Sequence, residues 1–343
     1  MSMADLARAH GTPVARARMR AELEDFRVDE IDAFEASGSG EHLLLTVEKR
    51  GMNTAFAARR IAQWAGVAES AIGYAGLKDR HAVTRQRFSV WIPKKVAPDI
   101  ASLQADDLRV LSADWHSRKL PRGALAGNRF TLRLRDVEGG RDAIDARLQA
   151  IATRGVPNYF GEQRFGRSGD NVVQALAMFA GRRVKREQRS ILLSAARSEI
   201  FNALLSTRVG RGDWDRAISG DVFMLDGSQS VFGPVEIDGD IDSRLASFDI
   251  HPTGPMWGRG ALRTLDEVQS LEAGTAETHA PLCEGLEAAG LKQERRSLRL
   301  PVRELQWEWQ EGDGLSISFQ LPAGSYATTV LRELGDIEDP QRP

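Results

Sequence analysis

Cysteine is almost missing from this chain. Cys283 is the only one in 343 residues, which excludes an intrachain disulfide and leaves no thiolate set for a structural zinc. The six histidines (His10, His42, His81, His116, His251 and His279) are scattered. No pair has the HxxxH or HxH spacing that turns two imidazoles onto one metal. Long apolar runs are absent as well. The stretch from Met1 to Arg20 is rich in Ala and Arg without the apolar centre of a signal peptide, and no later segment has the ~20 apolar residues of a membrane helix. A dinucleotide fingerprint, a P-loop, internal repeats and low-complexity tracts are likewise not found. An excess of either charge is missing too: a formal net charge of -2 argues against a uniformly basic nucleic-acid binder and leaves room only for a local patch. These absences predict a cytoplasmic globular protein with no metal site.

What is present suggests two domains, since 343 residues exceed the usual size of a single core. From Phe26 to Val137 the pattern is α+β. Segments 26–31, 42–47, 87–92 and 129–135 are β-compatible, and Thr54 to Trp64 has helical spacing behind an Asn53/Thr54 cap. After Gly139-Gly140 the texture turns helical, over 141–153, 171–181 and about 187–209. Residues 238–260 read as acidic, Gly- and Pro-containing loops, followed by another helical stretch from Leu262. Strand patterns return at 305–309 and 315–319, then a short helix over 325–334, and the polar tail after Gly335 reads as loose. This order predicts a discontinuous first domain whose last strands rejoin it around a helical insertion.

The most distinctive segment is Gly73-Tyr-Ala-Gly-Leu-Lys-Asp-Arg-His-Ala-Val-Thr84. It sets one acid, Asp79, between Lys78 and Arg80, with Gly76 ahead to let the chain bend. Cationic neighbours favour the ionised carboxylate, so Asp79 reads as a nucleophile or base rather than an acid. Taken alone, the same residues also fit an ordinary surface ion pair in a turn.

The segment closely resembles the catalytic motif of the TruD family of pseudouridine synthases, and the resemblance runs in order along the chain. Glu24-Asp-Phe-Arg-Val-Asp-Glu30, Gly38-Ser-Gly-Glu-His-Leu-Leu44 and Gly51-Met-Asn-Thr54 precede it. Lys119 to Thr131, Gly155 to Gly166, Leu193 to Ser198 with Phe201-Asn202, and Leu321 to Thr328 follow. The resemblance implies an α+β pseudouridine synthase catalytic domain with a mixed or antiparallel sheet, over 1–153 and 303–343, and an inserted helix-rich TruD domain over 154–302. It implies isomerisation of a uridine in the D-arm region of tRNA, at position 13, with no cofactor. The expected partner is tRNA, with no membrane and no obligate protein partner, and the expected state is a monomer.

By this resemblance Asp79 is the catalytic residue. Three routes stay open to it: addition to the base, attack on the sugar carbon, or removal of a sugar proton. Phe26, Asn128 and Tyr326 match substrate-binding positions, Tyr326 standing where the family commonly has Phe. An aromatic ring can stack on an extruded base, and an amide can pair with a uracil or ribose edge. Arg20, Lys78 and Arg80 are the candidate partners of the carboxylate. Arg164, Arg167, Arg182, Arg183, Lys185, Arg186 and Arg189 are candidate contacts to the RNA backbone, with Arg118, Lys119, Arg122 and Arg129 extending the basic face. Two other classes compete: a non-catalytic RNA-binding protein or RNA chaperone on the same fold, and an acid-dependent hydrolase using Asp79. Binding alone needs no carboxylate that repels phosphate, and no matched motif supplies a second acid.

Overall fold

The computed structural model describes residues 5–166 and 169–341. The chain divides into two compact units. The sheet unit comprises Pro13–Asp145, Val302–Ala327 and the described residues from Gly335. The helical unit comprises the described residues up to Thr12, Ala146–Pro301 and Thr328–Leu334. Residues 5–12, 146–153 and 328–334, expected with the first domain, group instead with the helical unit. Side chains explain part of this: Glu333 accepts from the amides of Ala9 and His10, at 2.8 and 3.2 Å.

The sheet unit begins with β1 (Ala15–Arg18), β2 (Phe26–Asp32), β3 (His42–Arg50), α1 (Thr54–Ala65), β4 (Ile72–Tyr74), β5 (Val83–Trp91), β6 (Leu108–His116) and β7 (Leu125–Glu138). Helix α2 (Arg141–Arg154) crosses into the helical unit, which holds β8 (Val156–Pro157), α3 (Asn171–Phe179), α4 (Arg186–Arg211), β9 (Phe223–Leu225), β10 (Val231–Phe232), α5 (Gly239–Ala246), β11 (Ile250–Met256), α6 (Asp266–Thr278), α7 (Ala280–Ala288), β12 (Glu294–Ser297) and β13 (Arg299–Leu300). The chain then returns with β14 (Arg303–Trp309), β15 (Leu315–Pro322), α8 (Ala327–Leu334) and β16 (Gly335–Glu338). The architecture is α+β, as the sequence pattern predicts.

Ten strands form one mixed sheet in the order β14-β15-β7-β2-β5-β3-β6, with β4 on β5 and with β1 joining β7 to β16. The β2–β5 and β1–β16 pairs are parallel, and the other pairs of this sheet are antiparallel. Helix α1 starts where the Asn53 side chain accepts from the Phe56 amide and stops at Gly66, which takes the left-handed φ of 65°. Its buried stripe of Ala57, Ala58, Ile61 and Ala62 packs with Leu45, Val47, Phe88 and Val90 of the sheet.

Two local expectations are corrected. Within 238–260, read as loop, α5 and β11 form. The Asp238 carboxylate caps α5 by accepting from the amides of Asp240 and Ile241, and the acids that suggested a loop sit in the first turn, where the helix dipole favours them. The tail expected to be loose is ordered over 335–338, where β16 pairs in parallel with β1 from Ala15↔Gly335 to Arg18↔Glu338. Gly335 is required there: a Cβ would stand 2.0 Å from the Ala15 carbonyl oxygen.

Candidate active site

Opposed residues of paired strands share a face. Across β2, β7 and β15 the register sets Glu30 against Asn128 and Asn128 against Leu321. Across β3, β5 and β2 it sets Lys49 against Thr84 and Thr84 against Val28. The face that receives α1 thus carries buried polar groups at positions a core would fill with apolar ones: Glu30, Lys49, Thr84, Gln86 and Asn128.

Most of these groups hold the loop between β4 and β5, the segment carrying Asp79. Gln86 donates through Nε2 to the Gly76 carbonyl at 3.4 Å. Thr54 Oγ1 accepts from the Lys78 amide at 2.8 Å and donates to Gln86 Oε1 at 3.2 Å. Lys78 reaches back into the sheet, its Nζ 2.6 Å from Glu30 Oε1, while Glu30 Oε2 accepts from the Arg87 amide at 3.0 Å. The loop backbone is therefore fixed from below by side chains whose own polar needs it meets.

Lys49 is the least expected member. Its side chain is wholly buried, and Nζ donates to the carbonyls of Met52 and, at 3.4 Å, Asp79. Burial pushes its ammonium down to about 8, the nearby Lys78 charge adds to the drop, and Asp79 and Glu30 oppose it.

Asp79 itself remains partly open, with 34 % of its side chain exposed. One oxygen lies 2.9 Å from Arg20 Nη2, and the other accepts from the His81 amide at 3.2 Å. Arg20 is buried at 5 % exposure and adopts a left-handed φ of 56°. Its guanidinium centre lies 3.9 Å from the centroid of the Phe26 ring, and its Nη1 is 2.7 Å from Asp339 Oδ2. Of the three candidate partners, Arg20 alone pairs with Asp79; Lys78 is engaged with Glu30, and Arg80 is exposed.

Phe26 is buried rather than open to a cleft, with Arg20 against its ring and Phe130 against its edge at 6.3 Å. Asn128 is buried too, and its Oδ1 accepts no hydrogen bond. An orphaned buried acceptor costs about 1–3 kcal/mol, so its persistence calls for a use. Tyr326 is exposed, in the turn between β15 and α8. Sequence reasoning missed Glu30, Lys49, Thr54, Gln86 and Asp339 as site members. Glu30 and Thr54 lay inside the matched motifs, and Lys49 breaks an apolar strand at an inward position, which was a usable signal. Asp339 sits in the tail that read as loose and gave none.

The basic candidates fall into distinct settings. Arg182, Arg183, Lys185 and Arg186 are exposed around the start of α4, Arg189 is half-buried, and Arg164 packs near Phe160 with Nη1 3.3 Å from Ser194 Oγ. Arg167 lies outside the described residues. In the sheet unit, Lys119, Arg122 and Tyr74 line a cleft of about 300 Å³, with the Arg122 guanidinium 3.7 Å from the Tyr74 centroid. Arg118 is exposed, and Arg129 pairs with Glu304 at 2.7 Å. Among the described residues, no group of three His, Cys, Asp or Glu side chains is placed to hold a metal, and no helix is long and apolar enough to cross a membrane.

The family profile described as tRNA pseudouridine synthase D (TruD) matches residues 7–177 and 168–334. A tRNA pseudouridine synthase D of Xanthomonas axonopodis pv. citri (strain 306) is 55% identical over 354 residues, spanning 98% of this chain and 96% of the relative. One of Hydrogenovibrio crunogenus is 49% identical over 340 residues, spanning 98% of each. A crystal structure from Methanosarcina mazei that bears the same family name superposes with a TM-score of 0.74 at 21% identity, over 98% of this chain and 97% of that one. That last likeness concerns the fold.

Proposed function

The chain belongs to the tRNA pseudouridine synthase D (TruD) family, whose members isomerise uridine in tRNA, and from that premise we propose that it converts the uridine at position 13, in the D-arm region, to pseudouridine with Asp79 as the catalytic carboxylate. The observation that carries this reading is the setting of Asp79. A partly open carboxylate is fixed by Arg20 and by its own loop, on a backbone that Lys49, Thr54, Gln86 and Glu30 hold from beneath. Such preorganisation is what a reacting group needs.

The reaction breaks the C–N bond between ribose and uracil, turns the base, and forms a C–C bond to the same ribose carbon. A proton leaves the base carbon and one is gained at the freed nitrogen, so the product is an isomer. In this reading Arg20 orients the Asp79 carboxylate, and the Phe26 ring backs the buried guanidinium and fixes its plane. The unpaired Oδ1 of Asn128 accepts from a uracil N–H or a ribose hydroxyl, and the Tyr326 ring adds an apolar surface. The RNA backbone follows the exposed cations at the start of α4, where the helix dipole gives Lys and Arg no stabilisation and itself attracts phosphate. We assign the activity to a cytoplasmic monomer.

The test is to incubate the purified protein and its Asp79→Asn variant with unmodified tRNA and map pseudouridine by position. Product at position 13 from the native protein alone is the expected result. Binding without product would favour the non-catalytic RNA binder, and product from Asp79→Asn would remove the carboxylate from the chemistry.

A further inference from the structure

Arg20 has two carboxylate partners, and only one of them is on the loop of Asp79. The second, Asp339, directly follows β16. The parallel register brings Arg18 against Glu338, and the Met19 amide donates to the Glu338 carbonyl at 2.9 Å, so the next residue of each strand emerges beside the other. The left-handed backbone of Arg20 turns its side chain so that Nη1 lies 2.7 Å from Asp339 and Nη2 lies 2.9 Å from Asp79. Both Arg20 and Asp339 are buried, at 5 % and 7 % side-chain exposure, whereas Asp79 is open at 34 %. Asp339 is held in turn by the Gln341 amide, which donates to its Oδ1 at 3.1 Å.

The two carboxylates have different fates in the reaction. Whether Asp79 adds to the base, attacks the sugar carbon or removes a sugar proton, its negative charge passes to the substrate. Arg20 would then be a buried cation facing a neutral group, an arrangement that is strongly unfavourable. An anion that takes no part in the chemistry removes that difficulty. We propose that Asp339 is a positioning residue for the reaction, keeping Arg20 paired and seated against Phe26 while Asp79 is engaged with substrate. This rests on the catalytic assignment of Asp79 above.

The experiment measures single-turnover pseudouridine formation, tRNA affinity and unfolding midpoint for the native enzyme and for Asp339→Asn, Asp339→Glu and Asp339→Gln, with Arg20→Met alone and combined with Asp339→Asn. Asp339→Asn is expected to lower the single-turnover rate about 10- to 100-fold with tRNA affinity changed less than about two-fold. Asp339→Glu is expected to outpace Asp339→Gln, a comparison at equal side-chain length that still decides if Asp339→Asn fails to fold. In the Arg20→Met background, Asp339→Asn is expected to add nothing, because it acts through Arg20. A native rate for Asp339→Asn, equal rates for the Glu and Gln variants, a loss confined to affinity or stability, or additive effects with Arg20→Met would each overturn the proposal. If Asp79→Asn is inactive while Asp339→Asn is fully active, this inference fails alone. If native enzyme forms no pseudouridine, the underlying reading fails first.

Discussion

Replacing Lys49 with methionine tests how the loop that carries Asp79 is held. The side chain is wholly buried, and its ammonium titrates at about 8 instead of 10.5. That drop corresponds to about 3 kcal/mol of disfavour for the charged form in the folded protein. At neutral pH both folded and unfolded chains carry the proton, so the penalty is fully present. Between about pH 8 and 10.5 the unfolded chain retains a proton that the folded one has released, and unfolding free energy therefore rises with pH across that window. Methionine fills similar space and binds no proton. The stability of the native protein relative to Lys49→Met should thus climb by about 3 kcal/mol between pH 7.5 and 10.5. At neutral pH the relief is offset by leaving the Met52 and Asp79 carbonyls without their donor, at about 1–3 kcal/mol, so the two midpoints should lie close together. Single-turnover activity should fall about ten-fold, since the loop beneath Asp79 loses a tether. Denaturant unfolding followed by tryptophan fluorescence at several pH values reads the stability difference. A difference that stays flat from pH 7.5 to 10.5 would refute the argument, because it would mean that Lys49 meets solvent in the folded state.

Four other outcomes follow from the same structure. Gly335→Ala places a Cβ against the Ala15 carbonyl and should destabilise the sheet unit by about 1–3 kcal/mol while lowering activity, read as a drop in unfolding midpoint and in product formed. Arg208→Met leaves the buried Asp221 without its ion-pair partner and Asp213 with Arg211 alone, and should cost about 3–5 kcal/mol near neutral pH. Burial already pushes the Asp221 carboxyl up, so that loss should shrink as pH falls and the acid form is reached, which unfolding at pH 5 against pH 7.5 will check. Tyr326→Phe should keep the single-turnover rate within about two-fold, whereas Tyr326→Ala should lower it, if the exposed ring and not its hydroxyl is used. Replacing Arg182, Arg183, Lys185 and Arg186 by alanine should weaken tRNA binding and reduce the slope of log affinity against log salt by about one for each phosphate that is no longer neutralised.

Much of the sheet unit was legible because its strands alternate cleanly and α1 is bracketed by Asn53 and Gly66. The failures have physical causes. Acidic residues at 238–242 were read by composition as loop, although an Asp cap followed by acids in the next turn is also a helix start. Strand β16 is short and polar, with a burial pattern in which only Gly335 is enclosed, so its existence depends on β1, a partner over three hundred positions earlier. The site divides in the same way. Asp79 was singled out by its segment, but its partner was not: Lys78 and Arg80 rivalled Arg20 in the sequence, and in the fold Lys78 pairs with Glu30 and Arg20 with Asp79. The burial of Phe26, matched to a substrate-binding position, depends on the Arg20 guanidinium against its ring, a contact that strand pattern does not reveal.

The pairing of β1 with β16 also sets an order of events during synthesis. Arg20 emerges from the ribosome early, yet Asp339 is translated only after the whole helical unit. Until then the sheet lacks β14, β15 and β16, and Arg20 lacks one of its two anions. A nascent chain therefore carries Arg20 and Asp79 long before Asp339 is present to complete the three-residue ion pair.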